Sequence, residues 1–366
     1  MEEFKRKLAL IRKIAEVLPI DGADNIELVK IDGWQCITKK GDFKPGDLCV
    51  YFEIDSFLPI HPEFEFLRKS SYKKMGDKQG FRLKTIKLRG NLSQGLVLPV
   101  TIFTPCQARF NFLETILDGL EEGKDVTDII GVLKYDPPIP AQLVGVCKGN
   151  FPSFIRKTDQ ERVQNIWNKI KDSKESFEVT VKLDGTSCTY YLNDCVFGVC
   201  SRNLDLIETE GNTLWKLARE LKIEERLREY GKNIALQGEV IGEGVQGNPE
   251  GIKGQKFFIF DIWDIDAQEY FVPGKRFNML STYPFYKFYM RPLENGNRFI
   301  DRLDIIPILY EHITLENFNC LEDLLVFANG NSLRSETREG VVFKSNDSDL
   351  TFKVISNEYL LKNKES

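Results

Sequence analysis

Histidine is almost absent from this chain: His61 and His312 are the only two in 366 residues. A zinc site built from imidazole and thiolate therefore has few ligands to draw on. The eight cysteines are scattered and form no CxxC pair, which argues against a thiol redox motif or a disulfide framework. No apolar run is long enough to cross a bilayer, and the start, Met1-Glu2-Glu3-Phe4-Lys5-Arg6-Lys7, lacks the apolar core of a signal peptide. These absences predict an intracellular protein, cytoplasmic or nuclear, with no membrane contact. A large charge of one sign is also missing: the net charge is −5, so a surface for nucleic acid has to be a local patch.

What is present suits a soluble globular protein, with 42% hydrophobic and 29% charged residues. The length favours two domains, each large enough to bury a core. Residues 8–60 read as short strands divided by turns. Ile26 to Ile31 alternates, Asp32-Gly33 is a hairpin signal, Trp34 to Thr38 resumes, and Leu48 to Glu53 follows Pro45-Gly46-Asp47. Strands at this spacing predict a small all-β barrel or sandwich. Between Arg68 and Gly90 the cations Lys73, Lys74, Lys78, Arg82, Lys84, Lys87 and Arg89 face a single acid, Asp77. Such a block attracts phosphates, and Tyr72 and Phe81 are candidate stacking surfaces for unpaired bases. Pro137-Pro138-Ile139-Pro140 and Gly149-Asn150-Phe151-Pro152 mark a connection, which puts the domains at 1–145 and 146–366.

In the second domain Val163, Ile166, Trp167 and Ile170 fall at helical spacing. The strand Phe177 to Leu183 has apolar odd positions, so Glu178, Thr180, Lys182 and Asp184 share its other face. A helix around Leu214, Leu217, Ala218 and Leu221, stopped by Gly231, is expected next. Three further strands carry Glu239, Phe260 and Glu339, and a last one carries Lys353. Carboxylates inside apolar strands are costly unless a ligand or metal meets them. The pattern predicts an α+β fold, with mixed antiparallel sheets enclosing a cleft.

Lys182-Leu183-Asp184-Gly185-Thr186-Ser187 is the segment around which the rest is ordered. Taken alone, Lys-x-Asp-Gly also describes an exposed strand end. Its successors Ser201-Arg202-Asn203, GEVIGEG from Gly238, FFIFDI from Phe257, REGVVFKS from Arg338 and LTFKVIS from Leu350 follow in a fixed order. In that order the chain resembles the covalent nucleotidyltransferases, which comprise DNA ligases, RNA ligases and mRNA capping enzymes. It is most similar to ATP-dependent RNA ligases with an OB-like domain ahead of the catalytic one.

The resemblance implies that Lys182 attacks ATP to form a lysyl-adenylate, with Phe260 stacking on adenine and Glu239 holding a ribose hydroxyl. It further implies that Glu339 and Asp184 meet Mg²⁺ or Mn²⁺, that Arg202 and Lys353 bind phosphate oxygens, that Gly185 belongs to the nucleotide site, and that Arg162 meets the outgoing pyrophosphate. Arg202, Lys353 and the metal would lower the Lys182 pKa. The fifth motif usually has two lysines separated by one residue; Thr351 stands where the first is expected, and Lys344 is the candidate to compensate. The implied partner is RNA, as a nicked duplex with 3′-hydroxyl and 5′-phosphate ends, bound by a monomer. A DNA ligase or capping guanylyltransferase is the alternative within the enzyme class. A non-catalytic RNA-binding protein on a degenerate transferase fold is the alternative outside it.

Overall fold

A computed structural model describes residues 6–103, 121–136, 145–288 and 300–363. The chain divides into two compact units, Met1–Ile139 with Leu360–Ser366, and Pro140–Tyr359. The Pro137–Pro140 segment expected to join domains lies outside the described residues.

The first unit is mostly β. One sheet orders Ala9–Lys13, Leu48–Phe52 and Leu96–Pro99, and a second orders Glu16–Pro19, Ile26–Ile31 and Trp34–Lys39. A third joins Leu133–Lys134, Ser56–Pro59, Lys78–Arg82 and Tyr72–Met75. The Asp32-Gly33 hairpin forms as expected. Both residues take positive φ, 45° and 76°, the two-residue turn whose twist matches that of the flanking strands.

In the second unit, β1 (Cys147–Asn150), β2 (Glu161–Arg162), α1 (Val163–Ile170) and β3 (Ser176–Lys182) lead into the hairpin of β4 (Thr186–Asn193) and β5 (Val196–Ser201). β6 (Leu204–Leu206), α2 (Thr213–Glu220), α3 (Ile223–Tyr230), β7 (Ile234–Gly242), β8 (Gln255–Asp264), β9 (Glu269–Tyr270) and α4 (Pro273–Leu280) follow. Then come β10 (Asp304–Ile305), β11 (Ile308–Thr314), α5 (Leu321–Phe327), β12 (Gly340–Ser345) and β13 (Thr351–Ile355), and α6 (Asn357–Lys362) begins in this unit and ends in the first. The single helix expected after Arg202 is two helices, because Lys222 adopts a left-handed conformation at φ 52° and breaks the first from the second.

Two sheets result. The smaller runs β2-β13-β12-β3-β11 and the larger runs β1-β6-β5-β4-β7-β8-β9, with β10 beside β8. The β2/β13 and β8/β10 pairs are parallel, while the pairings that carry β3, β4, β7 and β12 are antiparallel. Phe177 and Val179 of β3 pack with Phe343, Phe352 and α5 in one core, and Val181 and Leu183 pack with Ile241 and Phe258 in another. The alternation read from the sequence is therefore present.

The opposite face of β3 departs from that reading, because Glu178 and Thr180 are buried as well. Glu178 accepts two hydrogen bonds, 2.5 and 2.8 Å, from the Arg276 guanidinium on α4. Arg276 also lies 3.9 Å from Asp261 on β8, and Asp261 accepts from the Lys344 amine of β12 at 2.5 Å. All four side chains are buried. Burying charge is tolerated when each group is paired and hydrogen-bonded, and here the pairs bind the smaller sheet to the larger one. Arg276→Ala strands the Glu178 carboxylate and should cost about 3–5 kcal/mol in denaturant unfolding, whereas Glu178→Met with Arg276→Met should recover most of that loss.

Candidate active site

Lys182 ends β3 opposite Gly340 of β12, which in turn lies opposite Ile355 of β13. Its amine donates to Glu339 Oε2 at 2.5 Å, and the two side chains are 27% and 20% exposed. Glu239 approaches from the larger sheet, on β7, opposite Ser187 of β4 and Phe258 of β8. Asp184 follows two residues after the lysine, and its carboxylate accepts the Tyr359 hydroxyl of α6. Ser356 sets up that contact. Its hydroxyl caps α6 by accepting the Tyr359 N–H at 3.1 Å, while its own N–H donates to the Glu339 carbonyl at 2.9 Å. Gly185 lets the strand-to-strand turn pass close to β7, since a Cβ there would lie 2.4 Å from the Val240 carbonyl oxygen.

One amine thus faces three carboxylates. Burial alone would push the Lys182 pKa down; Glu339, Glu239 and Asp184 outweigh it, and the net shift is upward. This corrects the expectation that nearby cations lower it, because the charges acting most strongly on the amine are acids. Burial raises Asp184, with the Tyr359 hydroxyl opposing it. Burial also pushes Glu239 from the ordinary 4.5 up to about 7, against the pull of Lys182.

The other expected residues divide between the two sheets. Lys353 sits one row below Lys182, opposite Val342, and Arg162 of β2 lies beside it in parallel register. Arg202 is exposed, pairs with Asp159 at 3.3 Å, and its charge reaches Glu239. Phe260, half-buried, falls between the Gly238–Ile259 and Gln237–Asp261 pairs of the β7/β8 ladder, so it is the extra residue of a β-bulge.

Lys344 differs from its expected place. Its amine is buried against Asp261 and the Phe260 carbonyl, two rows from Lys182 on β12. Thr351 is level with Lys344, and its hydroxyl donates to the Phe343 carbonyl at 3.0 Å. The fifth-motif residue level with Lys182 is Ile355.

Sequence reasoning missed Tyr359, which carried no signal beyond lying three residues after Ser356, the last residue of the terminal motif. It also missed Glu250, whose buried carboxylate accepts from Ser332 and from the Arg334 and Ser335 N–H groups at 2.6 and 3.0 Å. That contact holds the turn that leads into Glu339.

In the first unit Lys73, Lys74, Lys78 and Lys84 are exposed. Arg82 pairs with Asp55 at 2.8 Å and lies 4.7 Å from the Tyr135 ring. Lys87 and Arg89 donate to the Leu361 and Gly22 carbonyls, each at 2.6 Å. Phe81 is not a stacking surface: it is fully buried in the core, because strand alternation turns it inward.

Among the described residues no group of three or more His, Cys, Asp or Glu is arranged to hold a metal ion. The donor set still fits a hard divalent ion that brings phosphate oxygens of its own, since such ions need only one or two carboxylates from the protein.

A strand-end lysine facing carboxylates between two mainly antiparallel sheets, with a small β module ahead of it, defines a nucleotidyl-transferring enzyme. The profile of an OB-fold domain matches residues 8–100, and that of RNA ligase matches residues 175–355. Among solved structures, Naegleria gruberi RNA ligase with PPi is 44% identical, covering 99% of this chain and 100% of its own, at a TM-score of 0.77. A lysine-to-methionine variant of the same enzyme with AMP and Mn is 43% identical over 99% and 100% of the two chains, at 0.78. A lysine-to-alanine variant with ATP and Mn is 44% identical over 98% of each chain, at 0.75. No curated protein matches. The chain belongs to the RNA ligase family.

The Glu239 shift has a testable sign. A carboxyl whose folded pKa is raised contributes stability that is complete below about 4.5 and lost as pH rises through about 7. Glu239→Gln should therefore gain stability over the parent protein progressively between those pH values, by at most roughly 3 kcal/mol. Thermal melts of the nucleotide-free proteins at pH 5 and pH 8 check it; a constant difference would contradict the assignment.

Proposed function

We propose that this chain is an ATP-dependent RNA ligase that seals 3′-hydroxyl and 5′-phosphate ends, using Lys182 as the nucleophile. The observation that carries the proposal is the Lys182 amine held by Glu339, with Asp184 and Glu239 in the same pocket. The Naegleria gruberi enzyme has been solved with ATP and Mn, with AMP and Mn, and with PPi, the reactants and products of adenylylation. Its solved variants change a lysine and an aspartate two residues apart, and a glutamate and a lysine fourteen apart. Lys182 with Asp184 and Glu339 with Lys353 repeat both spacings.

In the first step the Lys182 nitrogen bonds to the α-phosphorus of ATP, the bond to the β-phosphate oxygen breaks, and pyrophosphate leaves. The amine must first part from Glu339 and shed a proton. Arg202, Lys353 and Arg162 line the phosphate side, where positioned cations stabilise charge spread over the transferring group. Phe260 provides the stacking face for adenine, and Glu239 accepts from a ribose hydroxyl. Glu339 and Asp184 are the residues that would hold Mg²⁺ or Mn²⁺ through water, and the ion would neutralise phosphate charge.

In the second step the 5′-phosphate of RNA takes the AMP and frees Lys182. In the third the 3′-hydroxyl oxygen attacks that phosphate and AMP leaves. The exposed Lys73, Lys74, Lys78 and Lys84 supply phosphate contacts for a nicked duplex held by a monomer.

With radiolabelled ATP, wild-type protein should carry label through denaturing electrophoresis and Lys182→Ala should carry none. Label from GTP but not ATP would point to a guanylyltransferase instead. Neutralising Lys73, Lys74 and Lys78 together should weaken sealing of nicked RNA about tenfold or more at moderate salt and leave lysyl-adenylate formation unchanged. Equal loss in both steps would overturn the surface assignment.

A further inference from the structure

The β-bulge at Phe260 leaves its backbone outside the regular pairing with β7. A carbonyl displaced from a ladder needs other donors when it is buried. Two cations supply them: the Arg276 guanidinium at 3.0 Å and the Lys344 amine. Both cations are fixed from behind, Arg276 by the two oxygens of Glu178 and Lys344 by Asp261. The Lys344 nitrogen also lies 5.4 Å from the centre of the Phe260 ring, within the range where a cation is attracted to an aromatic face. Glu178 and Lys344 face each other across β3 and β12, so the smaller sheet grips the one residue of the larger sheet that the bulge re-aims.

We propose that Lys344 and Arg276 are positioning residues that hold the Phe260 ring as a rigid nucleobase platform, and that Lys344 is not a ligand of the triphosphate. The proposal rests on the reading of Phe260 as the adenine-stacking ring. It assigns the four buried charges a task beyond joining the sheets. A bulged aromatic whose carbonyl had no fixed donor would sample several orientations, and stacking would then carry the entropy of ordering it.

The test separates base from phosphate. Binding of ATP and of inorganic tripolyphosphate is measured calorimetrically for the wild type, Phe260→Ala, Lys344→Met, and the double variant Glu178→Met with Arg276→Met. The double variant keeps the packing should Lys344→Met fail to fold. The expected result is ATP binding weakened about tenfold in each variant, a typical loss for one base stack, with tripolyphosphate binding unchanged within twofold. If Lys344→Met weakens both ligands equally, or if neither the lysine nor the double variant weakens ATP, the positioning role is wrong. If Phe260→Ala itself leaves ATP binding unchanged, the stacking reading fails independently of Lys344 and Arg276.

Discussion

The ion pair between Lys182 and Glu339 is the constraint on which the rest of the site depends. The nucleophile role proposed for Lys182 needs a free lone pair, yet this half-buried amine faces three acids and is held more firmly protonated than an ordinary lysine. The nucleotide-free protein is thus a resting state. The carboxylates proposed to meet metal and ribose are the same groups that keep the amine charged in the absence of nucleotide. Each acid comes from a different part of the chain: Glu339 from the bend just before β12, Glu239 from β7, and Asp184 from the turn after β3. Holding them within reach of one amine requires the two sheets to be fixed to each other, and the buried Glu178, Arg276, Asp261 and Lys344 do that.

The local parts of this arrangement were legible in the sequence because they depend on near neighbours. Alternation from Phe177 to Leu183 placed Lys182 opposite the core face, and Asp32-Gly33 fixed a hairpin through backbone preference alone. Glu239 and Glu339 stood out as acids within apolar strands, and the order of motifs pointed to the family that the chain matches over nearly its whole length. Fold class followed from the same pattern of short strands and few helices.

What stayed hidden depends on partners distant in sequence. Glu178 looked like a residue on an open strand face until Arg276, 98 positions away, covered it. Lys344 looked like a spare phosphate cation, but Asp261 claims it. Phe81 sits in a basic stretch, and only its strand pairing shows that it points inward. The bulge at Phe260 needs the register of two strands to be known, and the Tyr359 hydroxyl reaches Asp184 from a helix with no motif of its own. The sign of the Lys182 shift was the largest reversal. Sequence order names the charges near a lysine, but only geometry weighs them against one another.

The central claim is that Glu339 keeps the nucleophile protonated. The direct measurement is the acidity of the Lys182 amine in the nucleotide-free protein, read from how its reaction with a trace acylating reagent varies with pH. Mass spectrometry of the peptide carrying Lys182 quantifies that reaction. The account predicts a pKa above that of an ordinary lysine in the wild type and a lower one in Glu339→Gln, where burial is left with less opposition. The same value in both proteins, or a wild-type amine already more acidic than an exposed lysine, would contradict it.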